Sequence, residues 1–155
     1  MVLLLTTVAA CALPGGAGTF SPAPAPSEAE AIAYLDEVVR IVRAGELDRL
    51  CELGGGTCRR SLEDGASSVP RTAPRLVGTV EVPSTPNADG TWNAGGRLLQ
   101  LCGVDGLGAP YYSEILVFED AGRLIGREPV FWTGITIATL PAVVGPASPR
   151  PCPTP

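Results

Sequence analysis

The sequence predicts an α+β fold in which a long N-terminal helix and two short helices pack on a curved antiparallel sheet of four or more strands. Helical periodicity is confined to the first part of the chain, and strand patterns follow it, an order typical of α+β domains. The strongest strand signal is the segment YYSEILVFEDAGRLIGREPVFW, residues 111–132. Within it, residues 115–118 form an unbroken apolar run, which predicts a strand covered on both faces.

The same segment predicts a β-hairpin with strands at residues 112–119 and 123–132. The triplet Asp120-Ala121-Gly122 lies between them and is typical of a three-residue hairpin loop, because glycine adopts the left-handed conformation at little cost. In that register Glu119 and Arg123 would face each other as a cross-strand ion pair.

Composition places one folded domain at residues 27–140. The chain has 155 residues and is 45% hydrophobic, which suits a single core. Ten of its 16 prolines lie before residue 27 or after residue 140. Residues 11–26 therefore read as a flexible linker rich in Pro, Ala and Gly, and residues 141–155 as a Pro-rich tail.

The charged residues argue against several function classes. The net charge is −5, and the 11 basic residues, all Arg, are scattered without the basic stripe that nucleic-acid binding requires. The chain has no His, so a Ser-His-Asp triad, a Cys-His dyad and His-dependent metal sites are excluded. We expect no cofactor and no metal.

The N-terminus predicts export and a lipid anchor. Residues 1–10 form a short apolar signal segment, and the motif Val8-Ala9-Ala10-Cys11 resembles the lipobox of bacterial lipoproteins. The resemblance implies cleavage before Cys11, a lipid on its thiol, and a position on the outer face of the cell membrane. A plain secretory leader and a disordered apolar tail are the alternative interpretations.

The helices are predicted from caps and periodicity. Ser27 and Glu30 form a capping box, and Gly45 ends the first helix as a left-handed cap. Between them one apolar stripe recurs every three or four residues: Ala31, Tyr34, Leu35, Val38, Ile41 and Val42. Short helices are predicted at residues 46–53 and 58–63.

The remaining strands are predicted at residues 75–82 and 97–104, with a last edge at residues 134–140. A polar turn region, residues 83–95, connects the first two.

Four cysteines remain if Cys11 is lipidated, and an even number in an exported protein favours disulfides. Cys51 and Cys58 bracket a glycine triplet and would form one bridge, which leaves Cys102 to pair with Cys152. Free thiols and a zinc site are the alternatives, although the spacing lacks the close pairs typical of zinc.

The layout resembles the nuclear transport factor two-like (cystatin-like) superfamily, as found in small exported proteins of high-GC bacteria. The resemblance rests on the segment AGELDRLCEL (residues 44–53), the strand at 75–82 and the final hairpin, and it covers residues 27–137. It implies a cone-shaped fold with a pocket between the first helix and the sheet. Members of the superfamily are noncatalytic binding domains or small isomerases and dehydratases.

Candidate pocket residues follow from this layout: Tyr34, Tyr112, Glu114, Arg127, Glu128 and Trp132. Tyr34 also fits a core position, and Glu114 could pair with Arg127 or act as a buried base beside a tyrosine. We expect a noncatalytic, membrane-tethered envelope domain that binds a protein or a small apolar ligand, with an isomerase or dehydratase-like enzyme as the alternative. A homodimer through the sheet is a further expectation.

Overall fold

The computed structural model describes residues 23–89, 91–137 and Cys152. It is an α+β fold with three helices and a four-stranded antiparallel sheet. The helices are α1 (Glu28–Ala44), α2 (Leu47–Leu50) and α3 (Cys58–Gly65), and a short 3₁₀ turn, Ala66–Ser68, follows α3.

Helix α1 begins and ends as predicted. The Ser27 hydroxyl accepts a hydrogen bond from the Glu30 amide at 3.2 Å, and the Glu30 carboxylate accepts from the Ser27 amide at 2.8 Å. Gly45 takes the left-handed conformation, with φ of 71°. All six residues of the apolar stripe are buried, so α1 packs on the sheet along the predicted face.

Helix α2 is shorter than the predicted residues 46–53. It ends at Leu50, and the carbonyl of Leu53 accepts hydrogen bonds from Tyr34 and Gly126 instead of continuing a helix. Helix α3 starts at Cys58 as predicted and runs to Gly65, two residues beyond the predicted end.

The strands of the main sheet are β1 (Arg75–Val82), β4 (Gly96–Val104), β5 (Pro110–Asp120) and β6 (Arg123–Arg127). They lie side by side in that order and are antiparallel throughout. Between β1 and β4, the predicted polar turn region contains a small hairpin of β2 (Thr85–Pro86) and β3 (Trp92–Asn93).

The central hairpin is tighter than predicted. Asp120 pairs with Arg123, so the loop has two residues, Ala121 and Gly122, with φ of 49° and 76°. Two successive positive φ angles are typical of the two-residue hairpin turn whose twist matches that of the strands. The predicted pairing of Glu119 with Arg123 is therefore wrong, because Glu119 lies opposite Leu124.

Strand β6 ends at Arg127, five residues before the predicted end at residue 132. Glu128 adopts φ of 63°, a left-handed conformation that stops the extended chain, and Pro129 has no amide hydrogen to donate. The chain then turns through a 3₁₀ helix, Phe131–Thr133.

The predicted last edge is not a strand in its described part, residues 134–137. That segment still lies beside β5, because the Glu114 amide donates to the Ile135 carbonyl at 2.9 Å. Residues 138–140 of the predicted strand lie outside the described residues.

The sheet carries an apolar cluster on each face. On the inner face, Leu99, Leu101, Ile115 and Val117 pack with α1 and with Phe131 in one core cluster. On the outer face, a smaller cluster joins Val82, Leu98 and Leu116, with Phe118 and Ile137 packed against it. Residues 115–118 therefore alternate between two apolar environments, as their unbroken run predicted.

Both predicted disulfides are present. Cys51 and Cys58 are joined with their Cα atoms 5.4 Å apart, and Cys102 and Cys152 with theirs 5.7 Å apart. The first bridge links the end of α2 to the start of α3. The second attaches Cys152 to β4.

Candidate functional site

An open groove with a volume of about 630 Å³ lies on the outer face of the sheet, opposite α1. Its floor is apolar and is formed by Leu116 and Phe118 of β5 and by Val82 at the end of β1. Side chains on a strand alternate between the faces of the sheet, so Leu116 and Phe118 point outward while Ile115 and Val117 enter the core.

Gly96 gives this floor its shape. It lies between Val82 and Phe118 in the register of the sheet. A Cβ atom at this position would lie 2.7 Å from the Leu116 side chain, so glycine allows Leu116 to lie across β4.

One wall is the segment Gly55-Gly56-Thr57. The Gly126 amide donates to the Leu53 carbonyl at 2.9 Å, which holds the start of this segment against β6. The Cys51–Cys58 disulfide closes the loop that contains it. A Cβ added at Gly55 or Gly56 would meet nothing within 4 Å, so the backbone there faces open space.

The opposite wall is formed by the small β2–β3 hairpin and the chain on either side of it, through Pro83, Thr85, Asn93 and Ala94. The Asn93 amide group donates to the Asn87 side-chain oxygen at 2.8 Å and to the Thr85 hydroxyl at 3.3 Å. These hydrogen bonds connect the two strands of the hairpin.

Arg127 is the charged member of the described residues that line the groove. It is the last residue of β6, lies opposite Leu116 and is exposed. Within the described residues its guanidinium makes no salt bridge and no hydrogen bond. The groove therefore combines an apolar floor with one cation at its rim.

Glu128 is turned away from this cation. Its left-handed backbone directs the carboxylate to the start of α3, where it accepts from the Thr57 hydroxyl at 2.5 Å and the Ser61 hydroxyl at 3.0 Å. A carboxylate is favourable at the positive end of a helix. Glu128, predicted as a pocket residue, thus supports the groove wall from behind.

Two other predicted pocket residues lie in the core. Tyr34 is buried, donates its hydroxyl to the Leu53 carbonyl at 2.8 Å, and has a pKa raised by burial. Trp132 is buried and donates its indole N–H to the Gly65 carbonyl at 2.8 Å, which holds the end of α3. Neither side chain lines the groove.

Tyr112 and Glu114 are brought together, but outside the groove. The Tyr112 hydroxyl donates to Glu114 Oε1 at 2.9 Å, and the Ile137 amide donates to Oε2 at 2.9 Å. Burial raises the pKa of Tyr112, and the Glu114 carboxylate adds to the increase. The predicted pairing of Glu114 with Arg127 is wrong, because Glu114 lies opposite Gln100 on β4 and Arg127 lies opposite Leu116.

The pocket expected between α1 and the sheet is occupied by core side chains, including Tyr34, Val38 and Ile115. Of the predicted site residues, Arg127 alone lines the groove on the other face. The sequence did not identify Leu116 and Phe118 as residues that line a groove, because an unbroken apolar run does not reveal that one of its two faces is partly open. The glycine triplet before Thr57 was the sequence feature from which this wall of the groove could have been predicted.

No group of three or more Cys, Asp or Glu that could hold a metal occurs among the described residues. None of the helices in that part of the chain is long and apolar enough to cross a membrane. Cys11, the predicted lipidation site, and most of the predicted linker and tail lie outside the described residues.

No protein-family model matches this chain, and neither a curated protein nor a solved structure shows significant similarity to it. The functional interpretation is therefore based on the geometry of the groove.

Proposed function

We propose that this chain is a noncatalytic, membrane-tethered envelope domain that binds a small ligand with an apolar body in the outer groove. The observation that carries the proposal is the open space of about 630 Å³ over the side chains of Leu116 and Phe118. Pockets for small molecules commonly have volumes of about 300–1,000 Å³ and mostly apolar linings.

Burial of apolar area supplies the binding energy, at about 25 cal/mol for each Å² removed from water. The hydroxyl and amide groups of the walls, on Thr57, Thr85 and Asn93, add a few polar contacts around this apolar floor. Such a lining favours retention of a ligand over chemical conversion of it.

The test is a titration of the full chain with Nile red, a neutral apolar dye whose fluorescence rises when it leaves water. Gly56→Trp would place a large side chain in open space at the groove wall, so we expect it to abolish the fluorescence increase. Ser67→Trp, at an exposed site away from the groove, should leave the increase unchanged. Equal fluorescence from both variants would contradict the proposal.

A second copy of the chain is the competing occupant, because the predicted homodimer would use this same outer face. Light scattering of the full chain, with and without dye, separates the two. A monomer that binds dye supports the proposal, whereas a stable dimer that excludes dye would replace it with an interface.

The tether is proposed from the sequence motif that ends at Cys11. We expect labelled palmitate to be incorporated into the protein in its native host, and Cys11→Ala to abolish this incorporation. Unchanged labelling in the variant would remove the anchor from the proposal and leave an exported domain.

The enzyme alternative required an unpaired buried carboxylate inside a pocket. Glu114 is buried, but both of its oxygens accept hydrogen bonds from the protein, and it does not line the groove. The geometry therefore supports binding better than proton abstraction.

We also retain the resemblance to the nuclear transport factor two-like superfamily as a proposal. The order of a long capped helix followed by an antiparallel sheet supports it. An experimental structure in which the sheet does not curve around α1 would contradict the cone-shaped fold that the resemblance implies.

A further inference from the structure

We propose that the ligand of the outer groove is an amphiphile with one anionic head group, bound by the guanidinium of Arg127, and an apolar body that lies on Leu116 and Phe118. This inference rests on the proposed binding function and names the chemical class of its ligand.

The first step is the position of Arg127 relative to the floor. Arg127 is directly opposite Leu116 across the β5–β6 pair, and Phe118 follows two residues further along β5 on the same face. Phe118 in turn lies in register with Gly96 and, beyond it, Val82 of β1. A ligand with its head group at Arg127 can therefore extend its body across the sheet from β6 toward β1.

The second step is that the positive charge of the Arg127 guanidinium is available to a ligand. Within the part of the chain that the structure describes, no carboxylate pairs with it. The nearest acid in sequence, Glu128, is engaged by Thr57 and Ser61. Glu114, on the same face, is engaged by Tyr112 and Ile137.

The third step is the sign of the charge. Among the described residues that line the groove, none is an Asp or a Glu. A guanidinium beside an apolar floor, with no carboxylate in that lining, is locally complementary to an anion, even though the net charge of the chain is −5. The planar guanidinium binds carboxylate and phosphate groups through two parallel hydrogen bonds, so either head group satisfies the geometry.

The experiment compares four ten-carbon probes on the full chain with its disulfides intact: decanoate, decyl phosphate, 1-decanol and decyltrimethylammonium. Affinity is measured by displacement of Nile red. We expect the anionic probes to bind about tenfold more tightly than 1-decanol, a difference typical of one hydrogen-bonded ion pair, and the cation to bind most weakly. The ratio between decanoate and decyl phosphate identifies the preferred head group.

Arg127→Gln should remove the preference for anions and leave the affinity for 1-decanol within about twofold of the original. Arg127→Lys should retain part of the preference because it keeps the charge without the planar donor pair. Arg123→Gln is the matched control, since it removes the same charge from the same strand at an exposed position outside the groove. The anion preference should also decrease as salt is added, because salt screens a pair at the surface.

The outcomes separate this inference from the proposed function. If decanoate and 1-decanol bind equally to the original chain, or if Arg127→Gln keeps the preference, the inference is wrong while ligand binding stands. If none of the probes displaces the dye and the dye itself does not bind, both fail. A loss of preference in Arg123→Gln equal to that in Arg127→Gln would mean that net charge, not the groove, selects the anion.

Discussion

The ring of Tyr34 packs against the backbone of Gly126, and its hydroxyl occupies the position that a side chain at residue 126 would need. The Tyr34 hydroxyl and the Gly126 amide both donate to the Leu53 carbonyl, at 2.8 and 2.9 Å. One carbonyl thus joins α1, β6 and the start of the segment that forms the groove wall. Tyr34, predicted to line a ligand pocket, instead positions a wall of the groove.

Gly126→Ala should destabilise the protein by about 1–3 kcal/mol, the range typical of overpacking. The added methyl group would collide with the buried ring of Tyr34, which has little room to move. Urea unfolding of the full chain measures the change in the free energy of unfolding.

Gly56→Ala is the control for that experiment. Its Cβ would meet nothing within 4 Å and its backbone does not have positive φ, so the change should lie within about 0.5 kcal/mol of zero. Similar losses in the two variants would show that glycine itself, rather than the contact with Tyr34, determines the result.

Glu114→Gln should destabilise the fold by about 1 kcal/mol, because glutamine has one accepting oxygen in place of two charged ones and therefore weakens the half-buried hydrogen bonds from Tyr112 and Ile137. Glu119→Gln, on the exposed end of the same strand, should change the stability by less than about 0.5 kcal/mol. Thermal unfolding measures both. Equal unfolding midpoints for the two variants would show that the hydrogen bonds of Glu114 do not stabilise the segment at residues 134–137.

All three tyrosines should ionise above pH 10.0 in the folded protein, since burial raises the pKa of Tyr34, Tyr111 and Tyr112. Absorbance at the phenolate band, followed from neutral to alkaline pH, measures this. The same chain in denaturant should titrate near pH 10. A tyrosine that titrates normally in the folded chain would contradict its burial.

The same pKa shifts set the sign of the alkaline stability. Above pH 10 the unfolded chain releases phenolic protons that the folded chain retains, so the unfolded state binds fewer protons there. The contribution of these groups to stability is therefore present below pH 10 and is lost as the pH rises. Urea midpoints that stay constant above pH 10 would contradict this expectation.

Removal of the Cys102–Cys152 disulfide should cost more stability than removal of Cys51–Cys58, if each pair is replaced by alanine. Cys102 and Cys152 are 50 positions apart in the sequence, and Cys51 and Cys58 are 7 positions apart. The entropy of closing a loop rises with its length. The chain-entropy relation therefore gives about 4 kcal/mol for Cys102–Cys152 and about 2.5 kcal/mol for Cys51–Cys58. Calorimetry of the two double variants tests the order, and a reversed order would show that local strain or packing dominates.

The sequence was most informative where the determining interactions are local. The capping box of Ser27 and Glu30 spans four residues, so the start of α1 was predictable to the residue. Gly45 marked its end for the same reason. The disulfides followed from the number and order of the cysteines, because after Cys11 is set aside few pairings remain.

Boundaries that depend on contacts distant in sequence were predicted less well. Strand β6 ends where Glu128 adopts a left-handed conformation, and this conformation accompanies hydrogen bonds to Thr57 and Ser61, about 70 residues earlier in the chain. Likewise, α2 ends at Leu50, and three residues later the Leu53 carbonyl accepts from Tyr34 and Gly126, which lie far from it in the sequence. A local pattern holds no information about such partners.

By itself, the sequence determined the α+β class, the amphipathic helix α1 and the strand β1, and it predicted the cysteine pairing that the structure shows. Only the tertiary structure decided that the space beneath α1 is occupied by core side chains and that the groove opens on the other face, beside Arg127. The physical reason is that a run such as residues 115–118 is apolar toward both faces of the sheet. Which face remains accessible depends on the segments that pack there from elsewhere in the chain.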